Sequence, residues 1–171
     1  MGPNPEYEGS DLEATAFAVN YHRWILHVLR PYLGKHVVEV GAGTGSFSRM
    51  ILETGPESLV LVEPSARMHR ILAEGLASLD ASQRPKTFQA TFRESLDKVR
   101  DLYTPDSVVY INVLEHVEHD TQEIILARNH LEDGGHMLIM VPALPFIYGA
   151  LDKEFGHYRR YLKAELASKV E

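Results

Sequence analysis

The eight residues Glu39-Val40-Gly41-Ala42-Gly43-Thr44-Gly45-Ser46 constrain this chain more than any other stretch. They continue the short β-branched run His36–Val40 and lead into a segment from Ser46 to about Thr54 that can form a helix. Glycines at this density let the backbone turn sharply and come close to a ligand, and the helix start that follows offers unpaired N–H groups. A glycine-rich turn alone does not make a ligand site. Its setting decides.

That setting is an alternation of strands and helices. Leu59–Val62 is a second apolar run, followed by Pro64 and a helical stretch from Ser65 to about Leu79. Thr87–Phe92 reads as a third strand and Ser107–Ile111 as a fourth, with a helix from about Thr121 to Leu131. Gly134-Gly135 turns into a fifth strand, His136–Val141, and a last periodic stretch begins near Leu162. Ahead of the first strand, Ala14, Phe17, Ala18, Tyr21, Trp24, Ile25, Val28, Leu29 and Tyr32 recur at helical steps. Ser10 or Asp11 can cap that helix, and Pro31 with Gly34 closes it. Strands apolar on both faces and alternating with helices call for a mostly parallel sheet covered on both sides, the doubly wound α/β class. At 171 residues this is one domain, 11–171, behind a loose tail, 1–10.

Composition narrows the function classes. There is no cysteine, which removes disulfides, thiolate metal sites and thiol nucleophiles together. The net charge of −7 argues against a general affinity for nucleic acid or anionic membrane. No apolar run approaches the ~20 residues of a membrane helix. The first ten residues lack the basic and apolar regions of a signal peptide, so a cytoplasmic location is expected.

Two acids and a serine then discriminate between cofactors. Glu63 ends the second strand 22 residues after Gly41, close to the ~20 at which an acid meets a ribose in nucleotide-binding folds. Dinucleotide binding, however, wants Gly or Ala at the sixth place of Gly-x-Gly-x-x-Gly, and Ser46 stands there. What remains is an acid, Glu39, one residue, then Gly-x-Gly-x-Gly.

Glu39 to Gly45 resembles the first motif of the class I S-adenosylmethionine-dependent methyltransferases. The resemblance extends over about residues 15–165. It includes Val62-Glu63-Pro64-Ser65 after the second strand, Asn112-Val113-Leu114-Glu115-His116 after the fourth, and Leu131-Glu132-Asp133-Gly134-Gly135 before the fifth. It implies a Rossmann-like fold, S-adenosylmethionine as cofactor and methyl transfer to a small-molecule acceptor. Gly41, Gly43 and Gly45 would pass under the methionine part of the cofactor. Glu39 would face its ammonium group, and Glu63, with Pro64 beside it, would take the ribose hydroxyls. Asn112, Val113 and Leu114 would flank the sulfonium, and Tyr21 would close the site from the first helix. The third strand shows no acid in register for the adenine amino group, leaving Thr91 or backbone to meet it.

Methyl transfer from a sulfonium needs no enzyme nucleophile, so placement and water exclusion can carry most of the rate. A hydroxyl or amine acceptor can still need a base. His116 and His157 are the candidates, because both fall after strand ends where open α/β sheets bind ligands. Glu115 with His116 could ligate a divalent metal, as in some metal-assisted methyltransferases, but those resemble an acid-x-x-Glu-His pattern and Asn112 stands at the first place, so no metal is expected. Tyr21 and Trp24 sit on the apolar stripe, where packing is the default role. The basic segment around His157, Arg159, Arg160 and Lys163, with Tyr158 and Tyr161, reads as a solvated face or the loop that starts a helix, and the long connection Pro142–Gly156 as a wall of the acceptor pocket. A cofactor-binding scaffold without catalysis is the alternative to an enzyme, and Ser46 with Glu39 disfavours a nicotinamide oxidoreductase. In the resembling fold two more strands follow, whereas this sequence stops at Glu171. A truncated domain with strand order 3-2-1-4-5 is expected, with a poorly covered fifth strand along which copies self-associate or, failing that, a marginally stable fold.

Overall fold

The computed structural model describes residues 19–170. The expected tail, the helix cap at Ser10 or Asp11, and Ala14, Phe17 and Ala18 lie outside the described residues. Five strands, β1 (His36–Val40), β2 (Ser58–Val62), β3 (Lys86–Phe88), β4 (Ser107–Ile111) and β5 (His136–Met140), form one parallel sheet in the order β3-β2-β1-β4-β5. Among the described residues seven α-helices accompany them: α1 (Val19–Leu29), α2 (Ser46–Glu53), α3 (Ala66–Leu76), α4 (Phe92–Arg100), α5 (Asp120–Arg128), α6 (Ala150–Glu154) and α7 (Lys163–Val170). The expected class and strand order are both present.

Strand alternation divides the core in two. Val38, Val40, Val60, Val62, Val108 and Tyr110 pack with Phe92 and Val99 of α4 and Ile124 and Ala127 of α5. On the opposite face, Val37, Leu59, Leu61, Val109 and Leu138 pack with Ile25 of α1, Phe47 and Ile51 of α2, and Leu72 of α3. Alternation puts Glu39 on this second face, where an apolar residue would be expected. The order of crossovers reverses between β1 and β4, and the loops after the C-terminal ends of those strands flank the reversal, where such sheets bind ligands.

Three expectations need correction. The third strand ends at Phe88 rather than Phe92. Thr91 instead caps α4, its hydroxyl accepting from Glu94 N–H while the Glu94 carboxylate accepts from Thr91 N–H at 2.9 Å. Phe92, Ser95 and Val99 then form the buried face of a helix that strand periodicity concealed. The stripe of α1 is also rotated. Two neighbouring lines on this helix are largely apolar, and the sheet takes His22, Ile25 and Leu29, leaving Trp24 60% exposed and Tyr21, Val28 and Tyr32 outside as well. Tyr21 and Trp24 stack on each other instead of packing in the core. Finally, β5 is the sheet edge that was expected but is partly covered: Leu138 is buried, the half-buried Met137 and Ile139 pack in a core cluster with Leu166 and Val170 of α7, and half-buried Met140 joins the opposite cluster. Among the described residues no helix is long and apolar enough to cross a membrane.

Candidate active site

The loop between β1 and α2 is held by backbone. Gly41 and Ala42 N–H both donate to the carbonyl of Val62 at the end of β2, at 2.8 and 3.1 Å, and Gly45 N–H closes a turn on Ala42. Gly41, Gly43 and Gly45 all have positive φ, 70°, 55° and 84°, a region costly for side-chain-bearing residues. Space adds a second demand at Gly41, where a Cβ would come within 2.5 Å of Val113 Cγ2. The loops after β1 and β4 therefore touch through a missing side chain.

Two acids face this loop. Glu63 accepts from Gly43 N–H and from Ser65 N–H, both at 2.8 Å, one on each carboxylate oxygen. Each oxygen keeps a second lone-pair direction for a ligand hydroxyl. Burial raises its pKa, and the two amides partly oppose the shift. Glu39 is only 2% exposed, and its Oε2 has no hydrogen-bond partner. Burial pushes its pKa up to about 8, the Ser48 hydroxyl offsetting some of this and Glu63 adding to it. A buried carboxyl oxygen without a donor is costly for the fold alone. It fits a site that receives an ammonium. Pro64 lies exposed beside Glu63.

The loop after β4 begins at Asn112, whose φ of 53° is a left-handed conformation that asparagine tolerates, and whose N–H donates to Met140 O at 2.8 Å. Not every expected residue of this loop reaches open space. Leu114 is buried in the core with its carbonyl taken by the Tyr161 hydroxyl at 3.0 Å, and Thr91 is occupied in its capping box. Tyr21 sits at the rim, its hydroxyl 3.7 Å from Met140 Sδ, and partial burial with the Glu115 charge nearby raises its pKa.

The two histidines do meet. His116 and His157 stand edge to face with ring centroids 4.7 Å apart, although 41 residues separate them. His157 is positioned by Asp152, whose Oδ1 is 3.0 Å from Nδ1. Asp152 is buried and also holds Arg160 Nε at 2.6 Å and Gly149 N–H at 2.9 Å. Burial alone would raise its pKa, but Arg160, Gly149 and His157 outweigh it and hold the pKa down to about 2.

The basic segment is the loop that leads into α7, as one of its two readings expected, and it forms a clamp rather than a solvated face. Arg159 pairs with buried Asp120 at 2.7 Å, Tyr161 is buried and donates to Asp120 at 2.9 Å, and Lys169 of α7 pairs with the same carboxylate at 2.6 Å. Tyr158 N–H donates to Glu115 O at 2.7 Å. Asp152 folds the β5–α7 connection on itself through Gly149, His157 and Arg160, all within eight residues of it, and Asp120 fixes that connection beside the β4 loop through Arg159 and Tyr161. Sequence reasoning missed both, and the partners of Asp120 are brought to it by the fold.

Comparison with known proteins decides the family. The model of the methyltransferase domain family matches residues 18–167. This chain belongs to that methyltransferase domain family. No curated protein matches it in sequence. Among solved structures, the magnesium protoporphyrin IX methyltransferase of Synechocystis PCC 6803 with bound SAH is similar at 18% identity and TM-score 0.63, over 90% of this chain and 70% of that one. The methyltransferase domain of a bacterial Hen1 protein is similar at 20% identity and TM-score 0.59, over 88% and 80%. The [4+2]-cyclase SpnF is similar at 16% identity and TM-score 0.68, over 90% of this methyltransferase domain and 56% of that chain. At these identities the likeness is one of fold.

Proposed function

We propose that this domain transfers the methyl group of S-adenosylmethionine to a small-molecule acceptor that enters between the β4 loop and the β5–α7 connection. The unpartnered buried oxygen of Glu39 carries the reading. It lies beside a glycine loop and a second acid, an arrangement suited to a ligand with an ammonium at one end and ribose hydroxyls farther along. Glu39 meets the ammonium, Gly41, Gly43 and Gly45 let the chain of the ligand lie close to backbone, and Glu63 accepts from the ribose hydroxyls. Pro64, Asn112 and Val113 line the path between them. Adenine contacts fall to backbone after β3, because Thr91 is committed to its helix cap.

S-adenosylmethionine supplies an electrophilic methyl on a sulfonium, and the sulfur keeps the bonding pair and leaves as a neutral thioether. The protein's part is placement and management of the acceptor's proton. His116 and His157 receive that proton, with Asp152 orienting the His157 ring. Tyr21 and the β5–α7 connection shield the site from water. The cyclase with this fold is a reminder that reaction follows site rather than fold.

The test pairs binding with turnover. S-adenosylhomocysteine, the neutral product, is titrated calorimetrically into wild type and Glu63→Ala, and transfer of labelled methyl is followed against fractionated cell extract with Glu63→Ala as blank. Binding that weakens in the variant, with wild-type transfer to an extract component, supports the enzyme. Binding without transfer in any fraction favours a scaffold, and a response to NAD alone overturns the reading.

A further inference from the structure

Glu115, His116 and His157 each offer one donor atom, and these three atoms lie within 4.8 Å of one another. Along the sequence only the pair Glu115-His116 is visible as a possible metal site, with Asn112 in place of a further acid, and His157 joins it from a different loop. We propose that these three residues bind a divalent first-row transition-metal cation.

The donor set is one carboxylate and two imidazoles, which suits zinc, cobalt, manganese or ferrous iron better than calcium or magnesium. Metal–ligand bonds of about 2.1 Å require donors roughly 3–3.5 Å apart, so closing on an ion asks for a shift of about 1 Å or a little more. His157 is prepared for this. Its Nδ1 side is held by Asp152, so the proton resides there and the Nε2 lone pair is left for the ion. A carboxylate on the far nitrogen is the usual outer support of a metal-bound histidine. Asp152 is in turn fixed by Arg160 and Gly149 N–H.

The site is braced on both sides. Tyr158 N–H on Glu115 O, the Arg159 guanidinium on Asp120 and the Tyr161 hydroxyl on Leu114 O and Asp120 tie the His157 segment to the segment of Glu115 and His116. A surface cluster of chance histidines would not have one buried aspartate on a member, as Asp152 is on His157, and a second, Asp120, anchoring the residues just after it. Three protein donors leave coordination positions open for water or an acceptor oxygen. In that case the imidazole lone pairs go to the ion, an acceptor hydroxyl on the ion loses its proton to water more readily, and the role of the two histidines changes from base to ligand. This last consequence rests on the acceptor entering here; the binding of the ion does not.

The probe is Co(II), added to the tag-free, chelator-stripped full chain and followed by its visible absorption and by equilibrium dialysis, with Zn(II) as competitor. One Co(II) per chain, displaced by Zn(II), is expected. His157→Ala and His116→Ala should each weaken binding at least 100-fold, and Asp152→Asn, which keeps the ligands but loosens their support, about 10- to 100-fold. Affinity for S-adenosylhomocysteine serves as the control for folding in every variant, and His116→Ala carries the test where His157→Ala disturbs the loop. Wild-type binding of Co(II) no tighter than that of a His116→Ala/His157→Ala double variant overturns the proposal. Co(II) binding without any S-adenosylhomocysteine binding in wild type would keep the metal site and sink the cofactor reading instead.

Discussion

The floor of the site, after β1 and β2, is made largely of backbone, whereas its wall, after β4 and β5, is made of side chains. On the floor, three glycines in left-handed conformations and two backbone amides on Glu63 do the positioning over a span of 25 residues. On the wall, Asp152 holds His157 and Arg160 within their own connection, and Asp120, through Arg159 and Tyr161, pins that connection beside the β4 loop, where His157 meets His116. The glycine loop leaves a motif in the sequence. Side-chain bracing that crosses the 39 residues from Asp120 to Arg159 leaves none. The two regions should therefore fail independently, the floor in cofactor affinity and the wall in turnover.

The strongest separation comes from the wall. His157→Ala should lower methyl transfer about 100- to 10,000-fold, the usual range for losing proton management. Its calorimetric affinity for S-adenosylhomocysteine should stay within twofold of wild type. A matching loss of both would mean that wall and floor are one unit. Next, Glu63→Ala should weaken S-adenosylhomocysteine binding by about 1.5–3 kcal/mol, the worth of hydrogen bonds to a charged group, or roughly 10- to 150-fold. Affinities within twofold would remove Glu63 from the ribose.

Sequence reading tracked the same divide. Glu39, Gly41, Gly43, Gly45 and Glu63 could be placed on their loops because strand, turn and helix follow one another with no gap. The strands were legible from apolar runs separated by helices, and their order followed from the resemblance to class I methyltransferases. What could not be read depended on tertiary choice. Two apolar lines on α1 compete for the sheet, and only packing shows that Ile25 and Leu29 win over Trp24 and Val28. Arg159, Arg160 and Tyr161 look like a wet surface until Asp120 and Asp152 are seen beneath them. One local signal was there to be used: Thr91-x-x-Glu94 is a capping box, and it announces α4.

That helix supplies the smallest effect. Thr91→Ala should cost about 1 kcal/mol of stability through the lost cap. For a domain of this size the melting midpoint should fall by about 2–4 °C. Affinity for S-adenosylhomocysteine should not change, since the hydroxyl serves the helix. A loss of affinity larger than the loss of stability would return Thr91 to the floor.

Glu39 tests the central claim, because it links burial, charge and cofactor in one group. Its pKa in the empty protein, about 8, lies above that of an unfolded carboxyl. The folded state therefore holds an extra proton between about pH 4.5 and 8, and this contribution to stability is complete below that window and gone above it. An ammonium bound beside Glu39 favours the carboxylate, so binding at neutral pH must expel the proton and must tighten as pH rises from 6 to 8. The direct measurement is calorimetry of S-adenosylhomocysteine at pH 7 in two buffers of different ionisation enthalpy, on wild type and Glu39→Gln. The account predicts one ligand per chain, release of most of a proton by wild type and much less release by the variant, with weaker binding. Equal proton release by the two proteins, or affinity unchanged by Glu39→Gln, would contradict it.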